Sequence, residues 1–146
     1  MKIYTQILAT ALCAAALSAP LMGFAQCKEF TENKVMSLLD DYFISGKYNT
    51  LKLKEGDEIV IFKTVSKGIN YRFVVKGDNE FSLPPQFKIE SWEGKIVFDN
   101  SENGEEIWDL PCDKTERIKI IVSVPEDDED AETEGCVTVL SGIKSI

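Results

Sequence analysis

The chain contains no histidine. Its absence removes the commonest general base. Zinc-type centres lose support as well, because the four cysteines stand at positions 13, 27, 112 and 136 and never pair at the short spacing such sites use. There is no G-x-S-x-G elbow, no glycine-rich phosphate loop and no dinucleotide fingerprint. Serine acyl transfer, nucleotide hydrolysis and hydride transfer therefore have no motif behind them. A small hydrolase working through paired carboxylates is the enzymatic alternative left open, since two acids suffice for such chemistry, but the 25 acids of this chain make the observation unselective.

Positive charge is also scarce. Sixteen Lys and Arg face 25 Asp and Glu, for a net charge of −9. Phosphate backbones and anionic lipid surfaces are held by clustered cations, so nucleic acid and membrane surfaces are excluded as expected partners.

One uncharged stretch stands out, from Ile3 to Gln26 behind the single cation Lys2. An alanine-rich centre over Ile7 to Leu17, followed by small residues at Gly23 and Ala25, has the layout of a secretory signal peptide cut after Ala25. A membrane-spanning helix needs about 20 apolar residues, and Pro20 and Gly23 interrupt this run near its end. A lipid anchor is disfavoured because Gln26, not a small residue, precedes Cys27. The expected division is a signal over 1–25 and one domain over 26–146, long enough for a single hydrophobic core and without membrane insertion once the leader is gone. Losing Lys2 moves the charge of the remainder to about −10. Cys27, Cys112 and Cys136 survive, and an exported chain meets oxidising conditions. One disulfide and one leftover thiol are expected, with all three pairings open.

Within the domain, "FTENKVMSLLDDYF" reads as a short amphipathic helix over about 31–44. Thr31 is its expected N-cap, Phe30 and Val35 its expected staple, Val35, Leu38, Leu39, Tyr42 and Phe43 its apolar face, and Gly46 its stop. From about residue 50 the period falls to two. Leu51 and Leu53 share a face, Ile69, Tyr71, Phe73 and Val75 alternate with mostly polar neighbours, and Ile118, Ile120, Val122 and Val124 do the same in the run "ERIKIIVSV", read as the longest strand. Glu93 and Gly94 suggest a two-residue hairpin turn. Pro84 and Pro85 mark a crossing or an edge. The expected fold is an all-β antiparallel sandwich, jelly-roll-like, of about eight strands after one short N-terminal helix.

Two stretches carry candidate cation ligands. Seven carboxylates fill the nine positions from Glu126 to Glu134, between two expected strands, and read as a solvated hairpin loop that keeps the strand ends apart by repulsion. They also offer oxygens to calcium, without a glycine to fold them round one ion. In "DNSENG", Asp99, Ser101 and Asn103 followed by Gly104 match the first half of an EF-hand loop, but Leu110 stands where the bidentate Glu belongs. Trp92 and Trp108 are the candidate binding platforms. Trp108 is out of phase with Ile107, so a strand through both buries one or the other unless both its faces are covered.

The stretches "LKEGDEIVIFKTVSKGINYRFVV", "KIVFDN" with "IWDL", "IKIIVSVPE" and the ending "GCVTVLSGIK" resemble a family of small exported proteins of Gram-negative bacteria. These in turn are similar to the pre-peptidase and jelly-roll sandwiches appended to secreted enzymes. What the resemblance implies is a fold and a location, with no catalytic residues to carry over. The expectation is an exported, non-enzymatic binding or structural module of the periplasm or cell surface, whose partner is an envelope protein or a glycan. A calcium-stabilised adhesion-type module is the alternative; otherwise no cofactor is expected.

Overall fold

The computed structural model describes residues 22–127 and 133–145, with the side chains of 22–24 outside that description. Residues 1–21, which hold most of the expected leader, and residues 128–132 of the acidic run lie outside the described residues. Nine strands are described: β1 (Phe43–Ile44), β2 (Asn49–Lys54), β3 (Glu58–Val65), β4 (Ile69–Gly77), β5 (Gln86–Ser91), β6 (Ile96–Asp99), β7 (Ile107–Pro111), β8 (Glu116–Ser123) and β9 (Glu134–Ser145).

They form two antiparallel sheets. In the first, β1 and β2 lie end to end along one side of β9, and the order continues β9-β4-β7. The second runs β3-β8-β5-β6. The pairs nest round the β5–β6 turn, β4 with β7, β3 with β8 and β2 with β9. A ribbon folded over itself in this way is a jelly roll. The expected antiparallel sandwich is therefore the fold, with β1 as a short ninth strand.

Nesting changes how the connections read. From β2 onward each one crosses between sheets except the turn joining β5 to β6. The acidic run is therefore not a hairpin loop. β8 already has β3 and β5 at its sides and β9 has β2 and β4, so neither has an edge to offer the other. Pro84 and Pro85 stand at a crossing, between β4 and β5. β9, with twelve residues, is the longest strand, not β8 with its eight. The turn after β5 is wider than the two residues expected, closing where the Ser91 amide donates to the Lys95 carbonyl at 2.8 Å.

The inner faces meet as the period-two pattern demands. Tyr71, Phe73 and Val75 of β4 pack against Phe87 and Ile89 of β5 and Ile118, Ile120 and Val122 of β8. Each of these large side chains contributes about 1.5–3 kcal/mol on burial. Leu53 joins them, while its expected partner Leu51 is exposed.

The helical segment differs most from expectation. An α-helix, α1, runs over Met22–Phe30, widens to a π turn over Thr31–Val35 and tightens to a 3-10 turn over Met36–Leu39. It ends at Asp40, whose φ is 54°, well before Gly46. Phe43 belongs to β1 and is exposed, not part of an apolar helix face. Thr31 is an interior residue and not a cap: its Oγ1 donates to the Cys27 carbonyl at 2.8 Å and lies 2.7 Å from Thr138 Oγ1. The expected cut after Ala25 falls inside α1.

Cys27, Thr31, Val35 and Leu39 are all buried, at a strict spacing of four. A four-residue repeat outruns the 3.6-residue turn, and the one wider turn resets the stripe against the sheet. It covers the outer face of the first sheet, where Val35 and Leu39 pack on Val74 and Leu140. A Cβ on Gly142 would stand 2.7 Å from that of Tyr42 and 3.0 Å from Leu39 Cδ2, so only glycine lets the chain settle this close to β9. The disulfide Cys27–Cys136 fastens the helix to β9, with Cα atoms 5.3 Å apart.

Candidate binding surface

Among the described residues the second sheet has no such cover. Its inward residues fill the core, and alternation turns Val60 and Phe62 of β3, Arg117, Lys119 and Ile121 of β8, and Lys88 and Glu90 of β5 to the other side. Trp92 leaves the end of β5 and Ile96 opens β6. Trp92 is 66% exposed, Ile96 51%, Phe62 50% and Val60 45%. Such a cluster on one face is a stronger signal than scattered apolar residues. A shallow depression of about 250 Å³ runs between Phe62 and Trp92 over Glu90, Ser91 and Lys119.

Arg117 joins the two rings. Its Cζ lies 4.6 Å from the Phe62 centroid and 5.4 Å from that of Trp92, within cation–π range of both. Beside it Lys119 pairs with Glu90 at 2.6 Å. Trp, Arg and Phe packed together on an uncovered sheet match the composition of the anchoring groups of protein interfaces.

The expected site residues fall into five places. Trp92 is on this face. Trp108 is not: its ring stacks 6.0 Å from Phe73 and 5.2 Å from Phe98 at the inter-sheet core. Ile107, its out-of-phase neighbour, packs with the helix on the other side, so both faces of β7 are covered. Asp99 ends β6, and Ser101 and Asn103 stand in the turn that follows it. Asp99 accepts the Ser101 amide at 2.8 Å, which holds its carboxyl below the ordinary carboxylate range, and Asn103 accepts the Glu105 amide at 3.1 Å. Buried Asn100, unremarked in the sequence, clamps the same turn by accepting from the Phe87 amide and donating to the Glu105 carbonyl. Among the described residues no three acidic or cysteine side chains are gathered as a metal cluster.

The cysteines resolve into Cys27–Cys136 and a buried free thiol at Cys112. Burial pushes the Cys112 thiol up from its ordinary pKa, and its Sγ donates to the Lys114 carbonyl at 2.9 Å.

Phe62, Arg117 and Lys63 were not singled out from the sequence. The signal for Phe62 lies in "EIVIFKTV", where Ile59 and Ile61 in one phase alternate with Val60 and Phe62 in the other. A strand apolar in both phases needs cover on both sides, and β3 has it on one. Lys63 points inward from this edge strand and donates to the carbonyl and the hydroxyl of Ser45 at 3.2 and 3.3 Å. Burial lowers its pKa. An inward cation on a long edge strand discourages a second strand from pairing there.

The described residues thus form a disulfide-tied β-sandwich of jelly-roll topology with one sheet face capped and the other bare. No family model and no curated relative matches the chain. Among solved structures it is similar to PliG of Aeromonas hydrophila, a periplasmic lysozyme inhibitor of g-type lysozyme. The two share 11% identity over 67% of this chain and 85% of that one, with a TM-score of 0.51. At that identity the likeness shows the fold. Among the described residues no helix is long and apolar enough to cross a membrane.

Proposed function

We propose that this protein is an exported, non-enzymatic binding module of the periplasm or cell surface that engages a protein partner through the outer face of β3, β8, β5 and β6. The observation that carries the reading is the cluster of exposed Trp92, Phe62, Val60 and Ile96 on a sheet face that no described residue covers, while its counterpart is capped. Support for export comes from the uncharged leader-like stretch and from the intrachain disulfide, a bond that persists in oxidising compartments. PliG, similar in fold, is itself a periplasmic inhibitor of another protein, which supports a protein as the kind of partner.

Site-specific photo-crosslinking in the exporting cell tests this. A benzoylphenylalanine at Ile96 should yield one discrete protein adduct, and the same probe at Glu29, on the exposed side of α1, should not. Trp92→Ala should abolish the adduct without altering the folded spectrum. Equal labelling from Glu29, or no adduct from Ile96, would remove this reading. Retention on immobilised envelope glycan without any protein adduct would redirect it to a sugar.

A further inference from the structure

We infer that the partner presents a carboxylate-bearing segment to this face and that Arg117 is the group that receives it; the inference rests on the reading of that face as the binding surface.

The chain has two arginines, Arg72 and Arg117. Both guanidinium groups lie over aromatic rings. Arg72 Cζ stands 4.5 Å from the Tyr42 centroid, and its edge is filled by Asp109, Nε to Oδ1 at 2.7 Å and Nη2 to Oδ2 at 2.7 Å. That two-pronged bond raises the Arg72 pKa. Arg117 is held by Phe62 and Trp92 in the same manner, yet among the described residues no carboxylate lies across its edge. The neighbouring acids are engaged elsewhere, Glu90 by Lys119 at 2.6 Å and Glu116 by Lys114 at 3.2 Å.

Strand register makes Arg117 the odd member of its face. On the outward positions of the two central strands, Lys88 stands opposite Asp99 and Lys119 opposite Glu90, whereas Arg117 stands opposite Thr64. An arrangement completed by Asp109 at one arginine is thus one carboxylate short at the other. The missing group has a defined chemistry, because a guanidinium lying over two rings still presents its planar N–H fork to a carboxylate. The two ring contacts already restrict part of the side-chain freedom that binding would cost. Exposed Phe62 and Trp92 supply apolar surface beside the guanidinium that limits water at such a bond. The chain as a whole carries a net charge of −9, which repels an acidic segment elsewhere on its surface and favours approach to the unpaired guanidinium of this face.

The two arginines also provide the test. In ¹⁵N-arginine-labelled protein the Nε–Hε signals report Arg117 and, as an internal control, Arg72. The probes are a short capped peptide with two glutamates flanked by valines, its glutamine counterpart, and acetate. The glutamate peptide should move the Arg117 signal, leave that of Arg72 in place, and bind about tenfold more tightly than the glutamine peptide, the weight of one charge-assisted hydrogen bond. Acetate at equal concentration should bind more weakly than the glutamate peptide; if it matches it, the ligand is a small carboxylate and not a protein segment. Arg117→Gln should abolish the preference and Arg117→Lys, which keeps the charge without the fork, should retain only part of it. Equal binding of both peptides, no binding of either, or a preference surviving Arg117→Gln overturns the inference. An Ile96 adduct that persists in Arg117→Gln keeps the surface and removes only the acid preference, whereas absence of any Ile96 adduct removes the surface itself.

Discussion

The outer faces of the two sheets are built from similar strands and treated in opposite ways. On the first, Val74 and Leu140 are sealed beneath Val35 and Leu39, and Cys27–Cys136 bolts the cover in place. On the second, Phe62 and Trp92 stand in water with Arg117 between them. The difference separates two uses of the same kind of side chain. Apolar groups under the helix hold the fold, while those on the bare sheet add little to it and are available to something else.

The largest test of this contrast is to unfasten the cover. Cys136→Ser opens a closure spanning 109 residues, and loss of about 3–5 kcal/mol is expected from the freed unfolded chain. Urea unfolding measures it; a loss below about 1 kcal/mol would mean the helix is held by packing alone. Next come matched deletions on the two faces. Leu39→Ala should cost about 2–5 kcal/mol, as a buried leucine does. Phe62→Ala and Trp92→Ala should each cost less than about 1 kcal/mol in stability, since exposed positions rarely cost more, yet abolish the Ile96 adduct. Similar stability costs on both sides would erase the distinction.

Gly142→Ala should push the covering segment off β9 through the contacts with Tyr42 and Leu39, at a cost of about 1–3 kcal/mol. Hydrogen exchange should then rise in 27–39 and stay unchanged in β3 and β8. A smaller effect belongs to Asp41, whose pKa is lowered chiefly by its hydrogen bond from Lys144. A depressed carboxylate stabilises the fold above its unfolded pKa, and that contribution fades as pH falls through the folded value. Both groups are exposed, so Asp41→Asn should leave the urea midpoint at pH 7 almost unchanged and slightly flatten its decline below pH 4. The smallest effect is expected at the edge of the bare sheet. The Asp99–Gly104 turn is closed by its own amides and by Asn100, so millimolar calcium or chelator should leave Tm where it was. A rise of several degrees with calcium would reinstate a cation there.

Much of the sandwich was legible where one phase of a strand is apolar and the other is not. Ile118, Ile120, Val122 and Val124 all face inward as their alternation required. Legibility failed where both phases matter. The mostly polar neighbours of Ile69, Tyr71, Phe73 and Val75 pointed to a solvent face on β4, but Val74 on that face lies under the helix, and the rivalry between Ile107 and Trp108 dissolved because β7 is covered twice. Thr31 looked like a cap because threonine precedes an apolar stripe. Inside the fold its hydroxyl finds a carbonyl four residues back and Thr138 across the sheet. Of the candidate surface, Trp92 was visible in advance, but Phe62 and Arg117 were not, because their meeting depends on β3, β8 and the end of β5 lying side by side.

The sequence by itself determined the all-β class, the inward phase of stretches such as 118–124, the acidic charge and the lack of histidine chemistry, because period, composition and charge are properties of neighbours along the chain. Only the tertiary structure decided which cysteines join, which sheet the helix covers and which arginine, among the described residues, is left without an acid. Those depend on partners far apart in sequence: Arg72 meets Asp109 because β4 pairs with β7 in that register, and Arg117 meets Thr64 because β8 pairs with β3 in its own. Register is a property of the assembled sheets, and a shift by one residue would exchange the faces on which these side chains stand.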